Sequence, residues 1–155
     1  MIMKTRTACA ILATLVQTRI NRDKEGGDRA KGLKRHRILA CAQSNVAADN
    51  LLEGCIKLGV DVVRFGRPVN VRSSLWNHTI DARLQQRNSW IRARKELDAA
   101  VELYTSLKEA GVSGEEFGKS QRRLGIAKED FQNVESKCVA EVLRGAQVVV
   151  TSCIG

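Results

Sequence analysis

Residues 38–66 read "ILACAQSNVAADNLLEGCIKLGVDVVRFG" and contain the pattern that indicates the fold class. The first five residues, Ile38 to Ala42, are apolar and bounded by polar residues, which predicts a fully buried parallel strand. Residues 46–58 then carry leucines and other apolar side chains at helical spacing, and predict a helix that stops at Gly59. Residues 60–65 predict a second strand. Strand, helix and strand in this order form the repeating unit of a parallel α/β sheet.

The flanking segments extend this plan in both directions. Residues 7–17 show an apolar i, i+3, i+4 pattern that predicts a helix with one buried face. Residues 81–144 hold two long, charged helical stripes joined by "GVSG" at 111–114, which predicts an antiparallel helical hairpin. "AQVVVTSCIG", residues 146–155, predicts a returning buried strand. The predicted fold class is therefore α/β, with a partial parallel sheet, flanking helices and an inserted long hairpin.

The net charge of +9 is concentrated near the start of the chain. Residues 1–37 hold ten Lys or Arg against three acids, a net charge of +7. Most of this excess lies in residues 19–37, where no hydrophobic period is visible, so this stretch predicts a basic loop. Such a loop is either simply solvated or contacts the phosphates of a nucleic acid.

The cysteines and the apolar runs limit the class of protein. The five cysteines include no C-x-x-C pair and lie inside apolar patterns, which predicts buried, reduced thiols and a cytoplasmic or nuclear location. No cluster of His, Cys and carboxylates has the spacing of a structural zinc site. No apolar run approaches the roughly 20 residues that span a bilayer, so no membrane partner is expected.

Polar residues follow two of the predicted strands, at the point where each strand ends. Gln43, Ser44 and Asn45 follow the first strand, and Thr151 and Ser152 close the last one. In open parallel sheets, ligands bind beyond the carboxyl ends of the strands, and the amides that begin the next helix favour an anion. Ser44 and Asn45 are therefore candidate phosphate ligands. They are equally good candidates for a purely local helix N-cap.

The segment at 38–52 resembles motif Ia of superfamily 1 helicases of the nonsense-mediated-decay, Sen and immunoglobulin-mu-binding type, an apolar strand followed by A-P-S-N-x-A-V-D-x-L. The matching residues are Ala42, Ser44, Asn45, Ala47, Asp49 and Leu51. Gln43 replaces the family's proline and Ala48 its valine. "DVVRFG" before Pro68 is similar to the family's next strand, and "AQVVVTSCIG" to its following motif, with Gln147 replacing aspartate. The resemblance covers nearly all of the chain in the family's order.

The resemblance implies a division of the chain into a core and an insertion. Residues 1–80 are expected to form part of a RecA-like P-loop NTPase core, to which residues 145–155 return a strand. Residues 81–144 correspond to helices that the family inserts between these core segments. Protein partners are expected to bind through this hairpin.

The resemblance also implies an ATP and Mg²⁺ site at the start of the chain. In the family, the helix before motif Ia begins with G-P-P-G-T-G-K-T, of which "MIMKTRT" supplies Lys4 and Thr5. Lys4 is implied to contact the β- and γ-phosphates of ATP, and Thr5 the magnesium ion. Residues 1–3 lack the glycines that let a backbone wrap phosphates in left-handed conformations. We expect ATP binding by this chain alone to be weak.

The implied function is that of a fragment of an ATP-dependent helicase, which couples ATP hydrolysis to translocation on single-stranded RNA or DNA. Ser44, Asn45 and Thr151 are implied to hold the phosphates of the strand. Arg64, Arg67 and Arg72 are further candidates, with an ordinary solvated surface position as the alternative for each. The family's acidic magnesium motif, second motor domain and arginine finger follow later in relatives, so we expect the chain to be a truncated gene product, inactive alone.

Two other functions compete with this interpretation. One is a non-catalytic module, derived from a helicase, that binds nucleic acid or a protein partner, with residues 81–144 as an interaction arm and the basic loop as a tether. The other is a helical scaffold without a ligand. Nucleic-acid binding with a steep salt dependence, without stabilisation by nucleotides, would favour the first, whereas a scaffold would show neither effect.

Overall fold

The computed structural model describes residues 2–25, 37–66 and 71–153. The chain divides into two compact units: residues 1–83 together with 142–155, and residues 84–141. The regular elements, in chain order, are α1 (Ile2–Glu25), β1 (Ile38–Ala42), α2 (Asn45–Lys57), β2 (Val62–Phe65), a 3₁₀ helix (Ser73–His78), α3 (Ile80–Leu84), α4 (Asn88–Glu109), α5 (Glu115–Gly145) and β3 (Val148–Ser152). None of the described helices is long and apolar enough to cross a membrane.

The three described strands form one parallel sheet in the order β1-β3-β2. The last strand in the sequence therefore lies in the middle. Its Thr151 is opposite Cys41 of β1 and Phe65 of β2, so the carboxyl ends of all three strands lie along the same edge. A small parallel sheet with flanking helices is confirmed as the fold class.

The core of the first unit lies between one face of the sheet and helices α1 and α2. Leu52, Val62, Val148 and Val150 are completely buried there, together with smaller side chains. Each such side chain contributes about 1.5–3 kcal/mol by leaving water. The two helices approach closely because residue 54 is glycine: a Cβ at this position would collide with the sulfur of Cys9.

The opposite face of the sheet corrects two predictions. Leu39 is 63% exposed and Cys41 is also exposed, so β1 is not a fully buried strand. Alternate side chains of a strand point to opposite faces, and the described helices cover β1 on one face only. The prediction of buried thiols is also wrong for Cys41 and Cys153, which are exposed, although Cys9, Cys55 and Cys138 are buried.

Helix α1 is longer than its apolar pattern predicted. It continues to Glu25, where the sequence predicted a basic loop from residue 19 onward. Ile20 is partly buried against the core, which gives the extended part of the helix a tertiary contact. Arg and Lys are also good helix formers, so a polar stretch need not be a loop. Residues 26–36 of the predicted loop lie outside the described residues.

The second unit consists mainly of α4 and α5. The rings of Trp90 and Phe131 have centroids 5.8 Å apart, and those of Tyr104 and Phe117 are 5.3 Å apart. From the first contact to the second, the residue number rises along α4 and falls along α5, so the two helices run antiparallel. Gly111, with φ at +68°, lies in the turn between them, in a conformation that other residues rarely adopt.

Candidate functional site

Ser44 determines how helix α2 begins at the end of β1. Its backbone is extended, with φ −140° and ψ 159°, and its hydroxyl oxygen accepts a hydrogen bond from the Ala47 amide at 3.2 Å. This is the geometry of an N-cap, which contributes about 1 kcal/mol to a helix. The Ser44 oxygen therefore serves as the helix N-cap, as one of the two predictions had it. The hydroxyl proton can still donate a hydrogen bond to a ligand.

The turn after β1 meets the end of β3 through two hydrogen bonds. Ser152 Oγ donates to Asn45 Oδ1 at 2.8 Å, across 107 residues of sequence. The Cys153 amide donates to the Ala42 carbonyl oxygen, also at 2.8 Å. Thr151 lies beside this junction, half-buried, with its hydroxyl 3.4 Å from the Ser152 carbonyl oxygen. Polar groups from both ends of the sequence thus meet at one edge of the sheet.

Arg64 lies inside this edge rather than on it. Its side chain is 1% exposed. Nη1 donates to the Phe65 carbonyl oxygen at 2.6 Å, and Nη2 donates to Asn45 Oδ1 at 2.8 Å. Gly66, with φ at +146°, leaves room for this guanidinium, because a Cβ there would lie 3.0 Å from Nη1. Arg64 therefore ties the end of β2 to the start of α2.

Asp49 is the counterion of Arg64. Its side chain is 3% exposed, and Oδ1 lies 3.6 Å from Arg64 Nε. These two atoms are also the buried side-chain N and O atoms that lack a hydrogen-bond partner among the described residues. Oδ2 accepts a hydrogen bond from the Arg72 amide at 3.2 Å. The Asp49 carboxylate is thus hydrogen-bonded to the segment after β2 and paired with the buried charge of Arg64. Removing one partner of such a buried pair is strongly destabilising.

The residues predicted to bind nucleic acid differ in their position and burial at the site. Ser44, Asn45 and Thr151 lie at the carboxyl edge of the sheet, where a ligand is expected. Arg64 is shielded from solvent, so the geometry gives it a supporting position behind Asn45 rather than a direct one. Arg72 is 47% exposed and is occupied by acceptors on α2. Arg67 lies outside the described residues.

The two residues predicted to bind ATP and Mg²⁺ belong to the first turn of α1. The side chain of Lys4 lies outside the described residues, whereas Thr5 lines an open cavity of about 900 Å³ between α1 and α2. Ile2 and Met3 are already helical, so the backbone just before Lys4 does not form a wrapping loop. No group of three His, Cys, Asp or Glu among the described residues is arranged to hold a metal ion. The described residues therefore do not fit a complete site for ATP and Mg²⁺.

Two thiols lie buried behind the site, between α1 and α2. Burial raises the pKa of the Cys9 thiol. Burial, together with the neighbouring Cys9, raises the pKa of Cys55 to about 12. Both groups are therefore uncharged thiols at neutral pH, as their apolar surroundings require. On the surface of α2, the hydrogen bond from Lys57 lowers the pKa of Glu53.

The pair of Asp49 and Arg64 is the feature that sequence reasoning missed. Asp49 matched the family motif, but nothing assigned it a partner. A signal was present: the buried face of α2 and the buried strand β2 each contain one charged residue, and the two charges are opposite. Buried charges are nearly always paired, so two lone charges in neighbouring buried elements predict a contact.

Comparison with known proteins gives one family and several relatives. A family model described as "AAA domain" matches residues 2–155. The chain is 30% identical over 126 residues to DNA polymerase alpha-associated DNA helicase A of Schizosaccharomyces pombe, an alignment that covers 79% of the chain. It is 27% identical over 128 residues, or 81% of the chain, to DNA-binding protein SMUBP-2 of Mus musculus. It is also 29% identical over 118 residues, or 76% of the chain, to a Regulator of nonsense transcripts 1 homolog of Neurospora crassa.

These relatives are much longer than the region they share with the chain. The alignments cover 18%, 12% and 9% of the three proteins, in the order given. What is shared is therefore one region of a larger protein.

Proposed function

This chain belongs to the AAA domain family, as part of a superfamily 1 helicase domain, and from this premise we propose that it serves an ATP-dependent helicase that translocates on single-stranded RNA or DNA. The family assignment made from the sequence is thereby confirmed. Two of the relatives are named as a DNA helicase and a DNA-binding protein. In this proposal, the 155 residues supply part of the surface that holds the strand.

The observation that carries the proposal is the junction of the β1 and β3 ends. The hydrogen bond from Ser152 to Asn45 brings Ser44, Asn45 and Thr151 to one edge of the sheet. These side chains present hydroxyl and amide groups, and the first amides of α2 add further donors with a partial positive charge. Neutral donors of this kind suit phosphate oxygens, whose contacts position a strand without reading its sequence.

For the domain organisation we propose that residues 1–80 and 145–155 belong to a RecA-like core, with residues 81–144 inserted as a helical hairpin. The chain path supports this division. It leaves the sheet after β2 at an edge, and it returns as β3 in the centre. The antiparallel contacts between α4 and α5 support a hairpin, which is a candidate surface for protein partners.

ATP and Mg²⁺ are cofactors of the family, and we propose Lys4 and Thr5 as the residues of this chain that face them. Phosphoryl transfer depends on positioning and on charge stabilisation by several groups together. We propose that this polypeptide alone does not hydrolyse ATP. A phosphate-release assay against Lys4→Ala tests this point: equal background rates are expected, and a rate clearly above that of the variant would contradict it.

The nucleic-acid proposal is tested by fluorescence anisotropy with labelled oligodeoxythymidylate and oligouridylate. Thr151→Val removes the hydroxyl while keeping a β-branched side chain in β3. We expect binding to weaken by about tenfold, because a hydrogen bond to a charged group contributes about 1.5 kcal/mol or more.

Thr105→Val is the matched control, because Thr105 is an exposed threonine on α4 whose hydroxyl bonds only the preceding turn. We expect this variant to bind like the unmodified chain. Equal affinities for both variants would remove Thr151 from the interface. Absence of any binding by the unmodified chain would overturn the proposal itself.

A further inference from the structure

We infer that Arg64 is a positioning residue, whose buried guanidinium fixes the Asn45 amide so that both of its N–H groups face the bound phosphodiester strand. The inference rests on the nucleic-acid function proposed above and deepens it. It assigns Asn45 the role of a donor to phosphate oxygens and gives Asp49 the role of holding Arg64.

Two hydrogen bonds determine the orientation of the Asn45 side-chain amide. Asn45 Oδ1 accepts two hydrogen bonds of 2.8 Å, from Arg64 Nη2 and from Ser152 Oγ. A guanidinium has donors and no acceptor. Turning the amide over would place its NH₂ group against the donating Nη2, so Arg64 allows only one orientation. The side-chain carbonyl of Asn45 must point inward.

The NH₂ end of the Asn45 amide points outward. Nδ2 diverges from Oδ1 and must point away from Arg64 and Ser152. No described residue accepts a hydrogen bond from Nδ2, yet it is absent from the buried polar atoms that lack a partner in the described part of the chain. Nδ2 is therefore open to solvent. It is a fixed, uncharged double donor at the N-terminus of α2.

Several contacts hold the Arg64 side chain in place. The guanidinium of Arg64 is held at the Phe65 carbonyl, at the carboxylate of Asp49 and against Gly66. Because its charge is paired with Asp49 and its side chain is buried, Arg64 is poorly placed to attract phosphates directly. Its influence on a ligand must pass through the hydrogen bond to Asn45. This explains why an arginine beside the candidate phosphate ligands is almost completely buried.

Asn45→Asp separates support from binding. The carboxylate still accepts the bonds from Arg64 and Ser152, but it has no N–H to offer and places a negative charge where a phosphate would lie. We expect binding of oligodeoxythymidylate to weaken by at least about tenfold. We expect the melting temperature to stay within about 3 °C of the unmodified chain, since acids are favoured in the first helical turn.

Asn50→Asp is the matched control. Asn50 is exposed on the same helix, so this substitution makes the same change of net charge at a position outside the junction. We expect its affinity to stay within about threefold of the unmodified chain, because one exposed charge acts weakly at physiological salt. An equal loss for the two variants would show a general charge effect and would overturn the donor role of Asn45.

Arg64→Lys tests the positioning step without any ligand. Lysine keeps the positive charge beside Asp49 but lacks the fork that reaches Phe65 and Asn45 together. In ¹H–¹⁵N spectra of the free protein, we expect the two side-chain amide signals of Asn45 to shift and to exchange faster with water. Unchanged signals would overturn the inference, whether or not the protein binds nucleic acid.

The same variant should weaken oligodeoxythymidylate binding by about fivefold while its melting transition stays cooperative. If the unmodified chain binds no oligonucleotide, the proposed function fails. If it binds and Asn45→Asp binds equally well, the proposed function stands and the inference fails.

Discussion

The two units of the molecule both contain an arginine–aspartate pair, and the pairs differ in burial. Arg64 and Asp49 of the sheet unit are 1% and 3% exposed, with Nε and Oδ1 3.6 Å apart. Arg94 and Asp98 of the helical unit are 51% and 59% exposed, with Nε and Oδ1 3.0 Å apart. The shorter ion pair is the less important one, because water screens exposed charges, whereas a buried charge without its partner has no solvent to replace it.

The largest expected effect comes from breaking the buried pair. Asp49→Ala leaves the Arg64 charge in the interior with no counterion, and we expect a loss of about 3–5 kcal/mol in the free energy of unfolding. Urea denaturation followed by circular dichroism measures this loss. A loss below that of an ordinary surface substitution would mean that the pair is not buried in solution.

The helical unit should depend on ring packing rather than on charge. Phe131 is 8% exposed, contacts the Trp90 ring and lies beneath the Arg94 guanidinium, 5.7 Å from its ring centroid. We expect Phe131→Ala to cost about 3 kcal/mol. Fluorescence-monitored unfolding in a Trp76→Phe background reports on this unit through Trp90. An unchanged transition would show that charges or turns hold the two helices together.

The buried thiols of the sheet unit are expected to have an effect that is smaller when expressed per pH unit. The folded pKa of Cys55 is raised to about 12 from the ordinary 9.0, so the folded state holds this proton more tightly than the unfolded state does. The thiol's contribution to stability is therefore complete below pH 9 and is lost as the pH rises toward 12. The unfolding free energy should fall by about 1.4 kcal/mol per pH unit in this range.

Denaturation at several alkaline pH values measures this slope, with Cys55→Ala as the test and Cys153→Ala as the control. Cys153 is exposed, so its removal should leave the slope unchanged. The Cys55 variant should show a shallower slope. Equal slopes for both variants would contradict the burial of Cys55.

The smallest expected effect completes the comparison of the two ion pairs. Asp98→Ala removes a partner of Arg94 that is four residues away on the same exposed helix face. We expect a change of about 0.3–0.5 kcal/mol in the free energy of unfolding, which high salt should abolish. A loss approaching that of Asp49→Ala would invalidate the distinction between buried and exposed pairs.

Local patterns in the sequence were sufficient to predict several helices and strands and the family. The bounds of β1 follow from one apolar run between polar residues, and those of α2 from a helical stripe that ends at a glycine. Such features depend on neighbours within a few residues, because backbone preference and side-chain periodicity are local properties. The helicase resemblance also came from local motifs, including Ser44 and Asn45.

The contacts between distant elements became visible in the folded molecule and not in the local patterns. It placed β3 between β1 and β2, left Leu39 and Cys41 exposed, and joined Asn45 to Ser152 across 107 residues. It also paired Arg64 with Asp49, which moved Arg64 from the surface of the candidate site to its support. Strand order and ion pairing between distant residues depend on the free energy of the whole packed unit, and no periodicity within one segment encodes them.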